Sequence, residues 1–161
     1  MGRPRGFDEN VAIAAAASLF ARRGYEGTAI DDLVTATGVH RASLYKAFGS
    51  KRGLYLAAVR QQVEAAARSA LATTAEADLA DPAGAIPEVD AMPEVDALVK
   101  IALDQGREDP EVAAEVARGL AALRDSLAAR HPDPDAALAE SLGRRVLAAV
   151  AFETTPQTTD S

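Results

Sequence analysis

The segment that most constrains the fold of this chain is TAIDDLVTATGVHRASLYKAFGSK, residues Thr28–Lys51, in which two short helical patterns flank Gly-Val-His. Thr28 is predicted to cap the first helix, with Asp31 completing an acidic capping box. Gly38 is predicted to end that helix because glycine readily adopts the left-handed backbone of a sharp turn. The second helix is predicted to begin at Arg41. The apolar positions recur at helical spacing and are predicted to face inward: Ile30, Leu33, Val34, Val39, Leu44 and Phe48.

The outer face of the second helix is polar and cationic. Arg41 and Ser43 lie near its N-terminus, where Arg can bind guanine and Ser can bind several bases, and Lys46 can contact a phosphate. Tyr45 is predicted to be exposed beside them, which favours a phosphate or groove contact; packing at the rim of the domain is the alternative. Two helices joined by a three-residue turn are typical of the helix-turn-helix, which places an α-helix in the DNA major groove. The segment therefore predicts a DNA-binding transcription regulator.

A series of spaced positions in the first third of the chain carries a family resemblance: Leu19-Phe20, Gly24-Tyr25, Thr28, Gly38-Val39, Leu44-Tyr45, Phe48, Ser50-Lys51 and Leu54. In these positions the chain resembles the DNA-binding domain of the TetR family of bacterial regulators. The resemblance implies that the helix holding Tyr45 is the recognition helix, and that Tyr45 and Lys51 contact phosphates. Three positions depart from the family pattern, because His40, Ala42 and Ala47 stand where Ser or Thr, Gly, and His or Tyr are common. The predicted DNA-binding set is Arg3, Arg5, Thr28, His40, Arg41, Ala42, Ser43, Tyr45, Lys46 and Lys51.

Two basic features flank the helix-turn-helix, and each has a bland alternative. Lys51 is predicted in the first turn of a helix opened by Ser50, where it opposes the helix dipole, so a docked DNA phosphate would compensate it. The alternative is a solvated lysine. Arg3 and Arg5 belong to a short basic arm that can enter the minor groove or can remain a frayed terminus.

The charge of the chain is divided unevenly. The formal net charge is −7 and the pI is near 4.8, but residues 1–52 hold eight basic and five acidic side chains, a net charge of +3. A basic proximal part is compatible with DNA binding because affinity depends on the facing surface. The absence of cysteine excludes disulfides and thiolate metal sites, and the sequence has no long apolar run or signal-like N-terminus. We expect a cytoplasmic protein that does not enter a membrane.

An Ala- and Leu-rich composition favours helices throughout. We predict an all-α fold with a three-helix DNA-binding domain over residues 1–50, a helical regulatory and dimerisation domain over 51–153, and a disordered tail over 154–161. The first helix is predicted over Glu9–Arg23, and the long fourth helix is predicted from Ser50 to about Ala75. Its connection to the distal helices, Asp78–Pro93, is predicted to be a loop or a broken helix, and it contains the first copy of a PEVDAM/PEVDAL duplication. The predicted inner stripe of the first helix is Val11, Ala14, Ala15, Leu19 and Phe20.

Three further helices are predicted after the loop. The first runs over Pro93–Gln105, and the next two begin at Asp109-Pro110 and Asp133-Pro134, with a cap followed by proline at the first helical position. The inner positions of the first are predicted to be Val95, Leu98, Val99 and Leu103. The last two carry long apolar seams that favour a homodimeric four-helix bundle, as the resemblance also implies; a purely intrachain core is the alternative. The predicted dimer residues are Val116, Leu120, Leu123, Leu127, Leu138, Leu142, Val146 and Val150.

The resemblance implies repression of a near-palindromic DNA operator and sensing of a small effector. An effector pocket in this aromatic-poor chain would have aliphatic walls, with ordinary core packing as the alternative; the candidate residues are Leu56, Val59, Arg60, Val63, Met92, Leu98, Ile101 and Leu120, with Gln62 as a second polar handle. We predict no enzymatic activity and no cofactor or metal, because His40 and His131 lack neighbours at metal-ligand spacing and no phosphate loop or nucleophile motif occurs. The competing hypothesis is a helical interaction protein that lacks effector sensing or has lost DNA binding.

Overall fold

The computed structural model describes residues 7–80, 93–128 and 132–153, and the side chains of 7–69, 95–128 and 132–147. The described part of the chain is all-α. Its helices, in chain order, are α1 Glu9–Arg23, α2 Ile30–Thr37, α3 Arg41–Phe48, α4 Lys51–Ala80, α5 Pro93–Asp104, α6 Pro110–Ala128 and α7 Pro134–Glu153. The predicted all-α fold with an N-terminal helix-turn-helix is therefore confirmed.

Aspartate side chains start three of these helices. Asp8 Oδ1 accepts a hydrogen bond from the backbone N–H of Asn10 at 2.9 Å, which caps α1. Asp109 caps α6 by accepting from the N–H of Glu111 at 3.0 Å, and Asp133 accepts from the N–H of Ala136 at 3.0 Å before α7. These caps satisfy backbone donors that a helix leaves unpaired at its first turn. The predicted helix starts at Asp109-Pro110 and Asp133-Pro134 are confirmed.

The core is one continuous cluster that joins α1–α4 to the distal helices. On the α1 face the prediction was wrong at Val11, which is 64% exposed, and at Ala14, which is also exposed, whereas Leu19 and Phe20 are buried as predicted. The face that packs inward is rotated and is formed by Ala12, Ala16, Ala17, Leu19 and Phe20. An alanine-rich helix gives little contrast between its faces, so its apolar periodicity does not define the buried side.

Helix α4 connects the proximal and distal parts of the fold. It packs against α1 and α3 near its start and against α5 and α6 further along. It extends to Ala80, so residues 78–80 of the predicted loop or broken helix are helical. Residues 81–92, which include the first copy of the duplication, lie outside the described part of the chain. The second copy, Pro93–Leu98, forms the start of α5. The division into domains at residue 50 stays a prediction, as does the tail over 154–161.

The distal helices bury most of their apolar stripes within one chain. Val95, Leu98 and Val99 of α5 are buried as predicted, whereas Leu103 is 47% exposed. On α6, Val116, Leu123 and Leu127 are buried against the intrachain core, and Leu120 is packed beside them. The α6 seam was therefore wrongly predicted as a dimer surface. The α4 helix covers it because α4 is long enough to run beside α6.

Helix α7 differs from α6 in keeping part of its surface open. Leu138 is buried, and Leu142 and Val146 are half-buried. Leu147 is 72% exposed, while the side chain of Val150 lies outside the described residues. Burying a leucine contributes about 1.5–3 kcal/mol relative to leaving it in water, so Leu147 marks the apolar surface that one chain leaves uncovered.

Candidate nucleic-acid interface

The entry into α2 differs from the prediction. Thr28 is 1% exposed, and its hydroxyl donates a hydrogen bond to the carbonyl of Gly24 at 2.7 Å. Ala29 is the N-cap residue instead, and its N–H donates to the carboxylate of Asp32 at 3.0 Å. Thr28 is therefore neither a helix cap nor a side chain available to DNA, because it is buried and its hydroxyl is hydrogen-bonded within the turn between α1 and α2.

The turn between α2 and α3 has the predicted geometry. Gly38 has φ 67° and ψ 12°, the left-handed conformation that glycine adopts without steric cost. Val39 is buried, and its N–H donates to the hydroxyl of Thr37 at 3.2 Å. His40 follows at the exposed N-cap position of α3 and makes no capping hydrogen bond with its side chain. The turn thus fixes the direction of α3 against the core of the domain.

Helix α3 presents an outer face that is free of core contacts. Leu44 is buried and holds the helix against the domain, and Phe48 is half-buried. Tyr45 is 42% exposed. The predicted DNA-binding residues of this helix lie at the surface, with Ser43 half-buried and the others exposed: Arg41, Ala42, Tyr45 and Lys46. A short helix with Arg and Ser at its start and Tyr and Lys along one side can offer donors to base edges and phosphates together.

Arg41 has an acidic partner. Its guanidinium forms an ion pair with the carboxylate of Asp31 in the first turn of α2, and both side chains are largely exposed. The hydrogen bond that the guanidinium donates to Asp31 raises the pKa of Arg41. The sequence predicted only a capping role for Asp31. Asp31 and Arg41 are ten residues apart in the sequence. They are in contact because the turn brings the starts of α2 and α3 together.

Lys51 also has a partner that the sequence analysis missed. Its ammonium Nζ lies 4.1 Å from the centroid of the Tyr25 ring, which is a cation–π contact. Lys51 is half-buried, so the alternative of a freely solvated lysine was wrong. Ser50 precedes it and accepts a hydrogen bond from the N–H of Gly53 at 2.9 Å. The resemblance already pointed to Tyr25 as a matched position, but only the fold shows its contact with Lys51.

A network of ion pairs joins the starts of α4 and α6. Arg52 donates to Asp109 at 2.7 Å and to Glu111 at 2.9 Å. Arg60, two turns along α4, donates to Glu115 at 2.8 Å and to Glu111 at 3.2 Å. The hydrogen bonds that Arg52 donates lower the pKa of Asp109 to about 2, and acceptance of these bonds by Asp109 and Glu111 raises the pKa of Arg52. The network connects α4, the helix that follows α3, to the distal part of the fold.

The predicted effector pocket falls in this distal part. Leu56, Val59, Val63 and Leu98 are buried in the common core, and Ile101 and Leu120 are packed against it. Arg60 was wrongly predicted as a handle inside a pocket, because its side chain is exposed and paired with the two α6 glutamates. Gln62 is half-buried on α4. Met92 lies outside the described residues, as do Arg3 and Arg5 of the predicted arm. The pocket itself stays a prediction.

The described residues also bear on metal and membrane binding. Across residues 7–80, 93–128 and 132–153 no group of three His, Asp or Glu side chains is placed to hold a metal ion. Within the same ranges, no helix combines the length and the apolar character that a membrane crossing requires. His40 lies at the start of α3, and His131 falls outside these ranges.

The helix-turn-helix region matches known proteins. Residues 12–58 match the family model described as bacterial regulatory proteins, tetR family. The chain is 42% identical over 64 residues to the uncharacterized HTH-type transcriptional regulator YezE of Bacillus subtilis, strain 168, which is 40% of this chain and 33% of that protein. It is 41% identical over 63 residues to the HTH-type transcriptional repressor ComR of Escherichia coli K12, covering 39% of this chain and 30% of ComR. The match thus spans about a third of the length of these relatives.

The fold as a whole matches a solved regulator. The crystal structure of HlyIIR, a hemolysin II transcriptional regulator, superposes with a TM-score of 0.50 over 91% of each chain, at 13% sequence identity. At that identity the likeness extends to the fold alone. The matched residues 12–58 include every element of the exposed α3 face and its supporting core. The similarity to the tetR family of bacterial regulatory proteins therefore covers residues 12–58, the helix-turn-helix segment of the chain.

Proposed function

We propose that this chain is a DNA-binding transcription regulator that acts as a homodimeric repressor on a near-palindromic operator. The observation that carries the proposal is the exposed face of α3, where Arg41, Tyr45 and Lys46 surround a helix that Leu44 anchors to the core. Lys51 lies at the start of α4, where a phosphate would meet both the ammonium and the positive end of the helix dipole. Arg41 and Ser43 read base edges in this proposal, and Tyr45, Lys46 and Lys51 bind phosphates.

Repression is supported by relatives that share the DNA-binding segment. ComR is named a transcriptional repressor, and so is BdcR of Escherichia coli K12, which is 39% identical over 62 residues, 38% of this chain and 32% of BdcR. A repressor of this size needs only to occupy DNA that a polymerase must use. Two copies would present two α3 helices to half-sites separated by about one helical turn, roughly 34–36 Å, or a multiple of it.

The second copy is proposed to pack on α7. The α6 seam is buried inside the chain, whereas α7 exposes Leu147 and leaves Leu142 and Val146 half-buried. A two-fold axis beside α7 would place Leu147 of each copy in an apolar contact. The ion pair of Arg144 with Glu140, at 2.6 Å on the same helix, would lie at the polar rim of such an interface.

An effector is proposed to be small and apolar. The α4, α5 and α6 side chains that meet in the distal core are aliphatic, including Val59, Val63 and Leu98. A ligand entering between these helices would find few polar groups and little aromatic surface, which favours an aliphatic molecule over a flat conjugated one. Its binding would separate α6 from α4 and so act on the helix that carries Lys51.

The test is a titration of the purified protein onto a labelled fragment of its own upstream DNA, beside an unrelated fragment, at several salt concentrations. We expect preferential binding with a steep salt slope, because each neutralised phosphate contributes about −0.9 to the slope of log K against log salt. Tyr45→Phe and Lys51→Ala should each weaken the complex by about tenfold, a size typical of one lost charge-assisted or phosphate contact.

A lysine far along the chain from α3 provides the control. Lys100→Ala removes an exposed lysine from α5, away from α3, and should leave binding within twofold. Equal weak binding to both fragments calls for a genome-wide selection of bound DNA, from which a preferred site would still emerge. Failure to select any DNA would overturn the proposal in favour of a helical interaction protein that keeps the fold alone.

A further inference from the structure

Tyr25 is held in place by the distal part of the fold. Its backbone N–H donates a hydrogen bond to Oδ2 of Asp104, the last residue of α5, at 2.8 Å. The two residues are 79 positions apart in the sequence. The Tyr25 ring also packs at a centroid distance of 4.9 Å from Tyr55 and 6.2 Å from Phe20. Tyr25 is thus fixed both through its backbone and through its ring.

Gly24 shows that the contact with Asp104 is a close fit. Gly24 has φ 71°, a conformation that side chains other than glycine rarely adopt. A Cβ at this position would lie 3.3 Å from Oδ1 and 3.4 Å from Oδ2 of Asp104. The end of α5 therefore approaches the turn after α1 so closely that the glycine leaves room for the carboxylate. The hydrogen bond belongs to a packed junction between α1 and α5 rather than to a chance surface encounter.

Lys51 contacts the side chain of Tyr25, whereas Asp104 contacts its backbone. Its Nζ lies over the ring face at 4.1 Å from the centroid. A cation over an aromatic face is attracted by the negative potential of the ring, so the ring position decides where the ammonium is most stable. A lysine side chain otherwise has four rotatable bonds and loses about 2 kcal/mol of rotamer entropy when it is ordered. Tyr25 therefore orders Lys51 before any DNA is present.

We propose that Asp104 is a positioning residue that sets the place of Lys51 through Tyr25, and so links the distal domain to phosphate binding. The proposal rests on the proposed function, since it assumes that Lys51 binds a DNA phosphate. A displacement of α5 would move the acceptor for the Tyr25 N–H, release the ring and disorder the ammonium. A signal in the distal core would then reach DNA affinity through a contact that involves neither α6 nor the recognition helix.

The charge of Asp104 allows positioning to be separated from simple electrostatics. An exposed carboxylate on a DNA-binding protein repels the phosphate backbone, so its removal should raise DNA affinity if charge alone acted. Loss of the positioning of Lys51 should instead lower DNA affinity. Asp104→Asn removes the charge but keeps a side-chain oxygen that can accept from the Tyr25 N–H. Asp104→Ala removes both.

The experiment measures DNA affinity across salt concentrations for the wild type, Asp104→Ala, Asp104→Asn and the matched control Glu108→Ala, which removes an exposed carboxylate four residues away. We expect Asp104→Ala to bind DNA about fivefold more weakly. The slope of log K against log salt should become shallower by about one, because Lys51 loses its phosphate contact. Asp104→Asn and Glu108→Ala should bind at least as tightly as the wild type. In a Lys51→Ala background, Asp104→Ala should not weaken DNA binding further, because the lysine that it positions is absent.

A second readout needs no DNA. The amide hydrogen of Tyr25 should exchange with solvent faster in Asp104→Ala than in Asp104→Asn, because only the alanine variant lacks the acceptor. Equal or tighter DNA binding by Asp104→Ala, with an unchanged salt slope, would overturn this inference while the proposed function stands. If the wild type selects no DNA at all, the proposed function fails and the inference fails with it.

Discussion

The carboxylate of Asp31 is paired with the guanidinium of Arg41, so the residue that begins α3 is held by the first turn of α2. Both side chains are largely exposed, and exposed ion pairs of this kind are weak. The pair is therefore easily exchanged for a stronger contact with a base or a phosphate. Until that exchange occurs, the negative charge of Asp31 lies beside the face of α3 that is proposed to bind DNA.

Replacement of Asp31 by Asn should strengthen DNA binding. The substitution removes the competing partner of Arg41 and one repulsive charge from the DNA-facing side, so we expect affinity to rise about two- to fivefold for specific and nonspecific fragments. The melting temperature should hardly change because the pair is exposed. Binding to both fragments would be measured by fluorescence anisotropy.

The control for Asp31→Asn is Asp125→Asn, which changes an exposed carboxylate near the end of α6. Its effect on DNA affinity should be smaller than that of Asp31→Asn, since screening weakens charges separated from the DNA by more than about 10 Å at 0.1 M salt. A fall in affinity for Asp31→Asn would show instead that Asp31 aims Arg41 at its base.

Thr28 should affect stability and leave DNA binding intact. In Thr28→Val the carbonyl of Gly24 loses its buried hydroxyl donor, so the free energy of unfolding should fall by about 1–3 kcal/mol. Thr35→Val is the matched control, because Thr35 makes the same kind of bond to Asp31 at 3.0 Å on an exposed face where water can replace it. Denaturant unfolding would compare the two variants. A tenfold loss of DNA affinity in folded Thr28→Val would contradict the structure and restore the original prediction.

Local signals predicted the helix starts and the recognition helix, because they depend on residues close together in the sequence. Asp109 and Asp133 bond to N–H groups two or three positions away, and Gly38 makes its turn by its own backbone preference. Leu44 needed only helical periodicity to be placed inside. These parts of the site could be predicted because short-range chemistry decides them.

The remaining errors arose where a distant contact decided the outcome. Thr28 had two possible roles, a cap or a buried turn donor, and the packing of the α1–α2 turn selected the second. The α6 seam was apolar enough for either a dimer or a core, and packing of α6 against other helices of the same chain buries Leu123. Lys51 and Asp104 meet Tyr25 from separate helices, a relationship that spacing along the sequence does not contain.

Two glycines in neighbouring helices should respond oppositely to alanine. Gly143 on α7 has open space where a Cβ would stand, so Gly143→Ala should stabilise the fold by about 0.5–1 kcal/mol through helix propensity. At Gly119 on α6 a Cβ would lie 3.1 Å from Leu98 and 3.3 Å from Val63. Gly119→Ala should therefore lose that gain to overpacking, which costs about 1–3 kcal/mol. Equal stabilisation of both variants in thermal unfolding would show that α6 is not closely packed on α4 and α5.

The pairing of Arg52 with Asp109 should make stability depend on pH in the acid range. The pKa of Asp109 is lowered to about 2 by the hydrogen bonds from Arg52, against about 3.9 for an unfolded chain. Because the folded pKa is lower, this stabilisation is complete above about pH 4 and is lost as pH falls toward about 2. Arg52→Gln should raise the Asp109 pKa and lower the free energy of unfolding at pH 6, and its difference from the wild type should vanish near about pH 2.

That prediction would be checked by a carboxyl-carbon NMR titration together with unfolding at several pH values. Asp109→Asn serves as the control, because Arg52→Gln should add little to it in the double variant. A difference between the wild type and Arg52→Gln that stays constant from pH 6 to about pH 2 would contradict the link between the pair and the acid transition.

Leu147 should be required for self-association. Its side chain is the most exposed large hydrophobic group among the residues whose burial is described, and it lies on the helix proposed to face a second copy. Leu147→Asp places a charge in that contact on both copies, so the dimer should dissociate at least about tenfold more readily, from the loss of about 1.5–3 kcal/mol per buried leucine. Leu103→Asp, on exposed α5 surface, is the control and should leave the dimer intact. Sedimentation equilibrium would measure both, and operator affinity should fall with dimer content because one α3 helix then reads only one half-site. If Leu103→Asp dissociated the dimer and Leu147→Asp did not, the two-fold axis would lie beside the end of α5 and not beside α7.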